Sequence, residues 1–218
     1  VTDDLSRVRL DPLGMLVSAV ALSGLALPFA VMKPNRIAPG EGLFLWDALP
    51  FWSAAIGLAW IGIALGIALY RVQPAIKLAA STSSFLVMAL LIGQSATYLT
   101  PPDNSYARIG IGGGFWLLAF ALALMLTDAL SRMRPGPRLR LGLLLLALCL
   151  LGGLFWSGAW HDLSILKEYG SRAPSFWQEA RTHLVLAFGS VALAVAIGVP
   201  MGIACYKILP LRAGILNV

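Results

Sequence analysis

Apolar residues run along this chain in long blocks. Six windows carry no charged residue: 12–32, 50–70, 78–99, 109–127, 141–160 and 184–206. Each is close to the roughly 20 residues that an α-helix rising 1.5 Å per residue needs to cross a bilayer core. Barrel strands alternate over about 10 residues, whereas these windows are apolar on every face. The pattern therefore predicts an all-α integral membrane protein of six transmembrane helices joined by short loops. The only sizeable polar loop is 161–183.

Small and polar residues punctuate the windows. In 184–206 (LVLAFGSVALAVAIGVPMGIACY), Ser190, Ala194, Gly198 and Gly202 recur every four residues, and Pro200 sits between the two glycines. Such a stripe lets another helix approach closely. Proline removes a backbone donor and bends a helix. These five residues are the candidate packing and gating positions. Gly62 and Gly66 form a second small-residue pair. Ser81, Ser83, Ser84, Ser95 and Thr97 can bond back to their own helix, and Gln94 is expected to face a neighbouring one.

The loops are legible in the same way. Span one is expected to end near Pro28, before an irregular turn over 33–42. Pro135, Gly136 and Pro137 form a break. Within 161–183, Asp162 is expected to cap a short helix through Lys167 that stops near Gly170. A second amphipathic piece follows Pro174, with Phe176, Trp177 and Ala180 on one side, lying on the outer surface. Pro210 is expected to end the sixth helix.

Composition supports the membrane reading. Hydrophobic residues make up 59% of the chain and charged residues 12%, against about 25% charged in soluble domains. The net charge of +6 invites a nucleic-acid partner, but the basic residues lie between spans, where topology requires them. With the N-terminus inside, the inner segments hold ten: Arg7, Arg9, Arg71, Lys77, Arg132, Arg134, Arg138, Arg140, Lys207 and Arg212. The outer loops hold six: Lys33, Arg36, Arg108, Lys167, Arg172 and Arg181. The bias places both termini in the cytoplasm. Trp46, Trp52, Trp116, Trp156, Trp160 and Trp177 fall in or near the outer loops, with Trp60 alone mid-span. Tyr70 and Tyr206 mark the inner interface. Cys149 and Cys205 lie inside spans without a CxxC partner, which speaks against a disulfide framework or a zinc site. The first window is too long for a signal peptide and lacks a cleavage site. Position 1 is Val, so the natural start is expected upstream.

Candidate chemistry is sparse. His161, Asp162 and His183 flank two spans on one side, but a catalytic site there needs a nucleophile and a dry pocket. Gly110, Gly112, Gly113 and Gly114 resemble a phosphate loop in composition, yet no strand is expected before them, and a close-packed helix end is the simpler reading. The outer tryptophans read as an aromatic belt rather than a cation–π cage. No ionisable residue lies inside a window, which argues against a proton-driven carrier confined to this chain. No catalytic, cofactor-binding or metal-binding residue is assigned.

The segment HLVLAFGSVALAVAIGVPMGI, 183–203, resembles the first core helix of binding-protein-dependent ABC importer permeases of the glycine betaine, choline and proline branch. The pieces PNRIAPGEG (34–42), ARIGIGGGFWL (107–117) and WSGAWHDLSILKEYGSR (156–172) resemble the N-terminal extension of YehY-type osmoprotectant permeases of bacterial inner membranes. The resemblance implies a type I permease core, a cytoplasmic ATPase, a periplasmic substrate-binding protein, and a second permease subunit or a self-copy. It implies no enzymatic activity for this chain. Residues 1–160 are then an N-terminal five-helix extension, 161–183 an outer-surface amphipathic segment, and 184–218 the start of the core. ILNV, 215–218, resembles the beginning of the next core helix. In the family the ATPase-docking loop and the remaining core helices lie further downstream. These 218 residues are thus expected not to translocate solute alone, and no substrate-path or ATPase-contact residue carries over. A membrane assembly protein without transport activity and an outer-face enzyme using His161 and Asp162 are the alternatives.

Overall fold

The computed structural model describes residues 10–101, 104 and 106–207. Arg7, Arg9, Pro210, Arg212 and the segment 215–218 lie outside the described residues. The chain divides into two units at Lys167. The first holds α1 (Pro12–Leu25), β1 (Ala30–Lys33), β2 (Glu41–Leu43), α2 (Phe51–Leu69), α3 (Pro74–Leu99), β3 (Arg108–Ile111), α4 (Gly113–Met133), α5 (Pro137–Trp156) and the first residues of α6 (Ser164–Lys207). The second holds the rest of α6.

The all-α membrane class holds: α2 to α6 are long and apolar enough to cross a bilayer. The first of the six expected spans does not hold at its full length. Helix α1 has 14 residues, about 21 Å at 1.5 Å per residue, short of a hydrocarbon core of about 30 Å. It stops before Pro28, and the remainder of the apolar window turns into β1. An antiparallel sheet in the order β2-β1-β3 results, with Ala30 opposite both Leu43 and Ile111. Non-helical backbone in an apolar setting must be satisfied internally. Here Phe29 N donates to Leu43 O at 2.8 Å, and the amides of Gly112 and Gly114 donate to Phe29 O and Pro28 O at 2.8 Å each.

Helices α1 to α4 form a ring in which α1 packs on α2 and α4, and α3 packs on the same two. Lipid tails are as apolar as leucine, so burying leucine between membrane helices gains little. Close approach through small residues gains more. The buried faces follow this rule: Gly14, Ser18, Ala21 and Gly24 on α1; Ala54, Gly57, Ala64 and Ala68 on α2; Ser81, Ser84, Ser95 and Ala96 on α3; Gly114, Ala121 and Ala129 on α4. The buried serines donate to their own helix, as in Ser84 Oγ to Ala80 O at 2.7 Å and Ser95 Oγ to Ile92 O at 2.8 Å. A Cβ at Gly14 would run into the Ala68 carbonyl, and one at Gly114 into the carbonyls of Gly24 and Leu27. Leu-rich α5 buries only Leu154.

Several local expectations need correction. Gly62 and Gly66 meet nothing within 4 Å and face away from the ring. Gln94 is exposed, because the buried phase of α3 runs through Leu91, Ile92, Ser95 and Ala96. No helix ends at Gly170 or restarts after Pro174: α6 is continuous through both. A strand, β3, does precede the glycine run 112–114.

The ring predicts a contrast. In the isolated protein, Gly14→Ala lowers stability by about 1–3 kcal/mol through overpacking. Gly62→Ala and Gly66→Ala leave it unchanged or raise it slightly through helix propensity. Thermal unfolding of the purified variants in detergent checks this, and equal losses at all three positions would contradict the packing.

Candidate functional site

The charges that border the apolar windows meet at one end of the ring. Helices α1 and α3 start there and α2 and α4 end there. Pro12, Pro74 and Pro137 open α1, α3 and α5 at the first-turn position where a missing N–H costs nothing. Asp11 is the N-cap of α1, its carboxylate accepting from Leu13 N at 3.3 Å and its own amide donating to Leu69 O at 2.8 Å.

Lys77 occupies the same buried stripe of α3 as Ser81, Ser84 and Met88, and its side chain is 3% exposed. Its ammonium lies 2.6 Å from Asp11 Oδ2 and 3.7 Å from Asp128 Oδ2. Arg132, one turn beyond Asp128 on α4, bonds that carboxylate through Nε at 2.7 Å and reaches Asp11 Oδ2 through Nη2 at 3.1 Å. Two carboxylates and two cations close on each other with no net charge. Burial works to raise the Asp11 carboxyl, but the Lys77 hydrogen bond and charge and the Arg132 charge outweigh it. The group is held below the ordinary carboxylate range. Among the described residues no buried side-chain polar atom lacks a partner. The cluster is therefore a clasp joining α1, α3 and α4, not an open relay for protons.

The opposite end of the ring carries the sheet and a second set of ties. Trp160 Nε1 donates to Ala89 O at 2.7 Å. Asp162 accepts from Thr97 at 3.0 Å and pairs with Lys167 at 3.3 Å. Burial acts to raise this carboxyl too, and the Thr97 and Lys167 hydrogen bonds with the Lys167 charge outweigh it, so it is also held low. Gly158 takes the left-handed φ of 71° in the turn between α5 and α6. A Cβ at Gly93 would strike the Ala159 carbonyl. His161 is 85% exposed and 3.9 Å from Asp162. That carboxylate is committed to the Thr97 hydroxyl and the Lys167 ammonium, which hold the turn. His183 lies in the second unit. In the glycine run the amides of Gly112 and Gly114 are committed to backbone carbonyls, and a Cβ at either would strike backbone, so these two glycines serve close packing. The tryptophan ring pairs among the described residues are with phenylalanine, such as Phe44–Trp46 at 5.1 Å and Phe155–Trp160 at 5.0 Å, and not with a second tryptophan.

The five packing positions assigned to the last span, Ser190, Ala194, Gly198, Pro200 and Gly202, all lie on α6 and all are exposed. Ser190 Oγ donates to Ala187 O at 2.9 Å. Gly198 and Gly202 have open space where a Cβ would stand. Sequence reading missed the clasp because it searched inside the windows for charges. The signal was at their edges, where Asp11, Lys77 and Asp128 each border a window.

Removing one member leaves a buried partner unpaired, since Asp11 and Lys77 are each 3% exposed. Lys77→Met should cost about 3–5 kcal/mol, with part of the loss recovered in Lys77→Met/Asp11→Asn. Because the folded Asp11 carboxyl is lowered, the unfolded chain binds more protons in acid. Its stabilisation is thus complete at neutral pH and is lost as pH falls below the ordinary carboxylate range. Unfolding temperatures from pH 7 to pH 3 measure this; Asp11→Asn should flatten the acid-side slope. A slope unchanged by that substitution would contradict the assignment.

A family model described as ABC transporter permease YehY, N-terminal domain, matches residues 8–166. No curated protein and no solved structure matches the chain.

Proposed function

From a chain that belongs to the ABC transporter permease family through its YehY N-terminal domain, we propose the N-terminal part of the membrane subunit of an ATP-driven importer of glycine betaine-like osmoprotectants. A permease of this family works with a separate ATPase. The further partners we propose are a periplasmic substrate-binding protein and a second permease subunit or self-copy.

One observation supports the division of labour most directly. The ring α1–α4 buries its small residues and closes its charges, whereas the small residues Ser190, Ala194, Gly198 and Gly202 of α6 are exposed among the described residues. We assign the ring to a scaffold and α6, from position 184, to the start of the translocating core. The osmolyte class is supported by the resemblance of residues 183–203 to glycine betaine, choline and proline permeases. An inner-membrane location with cytoplasmic termini is supported by arginine enrichment at the clasp end of the ring, where Arg71, Arg132, Arg134, Arg138 and Arg140 lie.

Reconstitution tests the proposal. The full permease in proteoliposomes with its ATPase and binding protein should take up labelled glycine betaine in an ATP-dependent manner. Gly198→Leu/Gly202→Leu should abolish uptake while the complex still assembles. ATP-dependent uptake that excludes every trimethylammonium solute would refute the substrate class, and full uptake by the double variant would refute the role of α6. For orientation, single cysteines in a background lacking Cys149 and Cys205 should react with an impermeant thiol reagent from outside at position 172 and not at 138. The reverse labelling would overturn the topology.

A further inference from the structure

We infer that the first unit holds an anionic phospholipid in the groove between α3, α4 and α5. The groove encloses about 850 Å³. Its walls are apolar, with Leu86 and Ala89 from α3, Ala119 and Leu126 from α4, and Ala147 and Leu150 from α5. The α4 wall from Trp116 to Ser131 runs about 22 Å at 1.5 Å per residue, longer than one leaflet, which is about half of a 30 Å hydrocarbon core. An acyl chain fits such a slot. A soluble solute does not, since the walls offer almost no polar group along their length.

The two ends differ, and that difference selects the occupant. Trp116 and Trp160 stand at the sheet end. Arg140 stands at the clasp end beside Thr82, Thr127 and Ser131. Its Nε donates to Pro135 O at 2.8 Å. That bond uses one of the five N–H donors of the guanidinium and holds it beside Pro135, which also lines the groove. Arg134 caps the end of α4 and Arg138 lies in the first turn of α5, and both are exposed. Among the described residues no carboxylate lies within ion-pair distance of Arg134, Arg138 or Arg140, in contrast to Arg132, which is spent on the clasp. A basic cluster at the mouth of an apolar cleft between membrane helices matches a phosphodiester headgroup with its chains below. A zwitterionic lipid would bring a further cation to an end that already holds Arg140, with Arg134 and Arg138 close to it in sequence.

The inference stands independently of the transported solute. The full permease is purified, delipidated by detergent exchange, and incubated with phosphatidylglycerol or phosphatidylcholine. Native mass spectrometry then counts retained lipid. Phosphatidylglycerol should be retained in preference to phosphatidylcholine. Arg134→Gln/Arg138→Gln/Arg140→Gln should weaken it on the order of 100-fold, since each arginine near a surface contributes roughly a fivefold effect. Ala147→Trp, on an exposed face of α5, should fill the groove and displace the lipid without unfolding the chain. Equal retention of the two lipids by the natural sequence, no retained lipid of either kind, as when another helix occupies the slot, or an arginine variant that binds as before would each overturn the inference.

Discussion

Everything in the first unit depends on how the charges at the edges of the apolar windows are paired. Lys77 is carried into the ring by the same helical phase that buries Ser81, Ser84 and Met88. An ammonium there is tolerable only because two carboxylates reach it from other helices and a guanidinium returns the balance to neutrality. That requirement sets the ends of α1, α3 and α4 against each other. It also fixes the register in which their glycines and alanines meet. The close contacts at Gly14 and Gly114 follow from the same alignment. Clasp and small-residue packing are therefore two parts of one constraint.

The opposite end solves a different problem. Helix α1 is too short to cross a bilayer, so the chain continues as strand, and its amides must find partners in an apolar setting. The sheet and the glycine run 112–114 supply them, with Gly112 and Gly114 donating to Phe29 and Pro28. Trp160, Asp162 and Lys167 then tie the start of α6 to α3. A scaffold closed at both ends leaves α5 and α6 with faces to spare, one lined with leucine and the other with small residues.

The main helices were legible because apolar blocks bounded by charge and proline admit few other readings: α2, α3, α4 and α5 sit close to their windows. The remainder was hidden for physical reasons. Residues 26–32 are as apolar as a helix, and periodicity cannot separate a buried strand from a buried helix. Pro174 reads as a stop because an interior proline loses an i−4 hydrogen bond and crowds that carbonyl, yet α6 runs through it. Gln94 was misplaced because polarity alone was taken to choose a facing side, whereas the helical phase set by Leu91, Ile92 and Ser95 decides it. The clasp needed topology: Asp11 caps the start of α1 and Lys77 lies in the first turn of α3, and only the antiparallel return of α4 brings Asp128 and Arg132 to the same end. The five candidate positions on α6 were legible as a stripe, and the described residues leave all five exposed.

The central claim is a self-contained ring that presents α6 to the rest of a permease. Its most direct test is photo-cross-linking in the assembled transporter, with the reactive residue at position 198 and a control at position 88 inside the ring. The account predicts a cross-link from 198 to a transmembrane helix of the permease core and from 88 only to helices of the ring. Exclusive lipid labelling from 198 would contradict it.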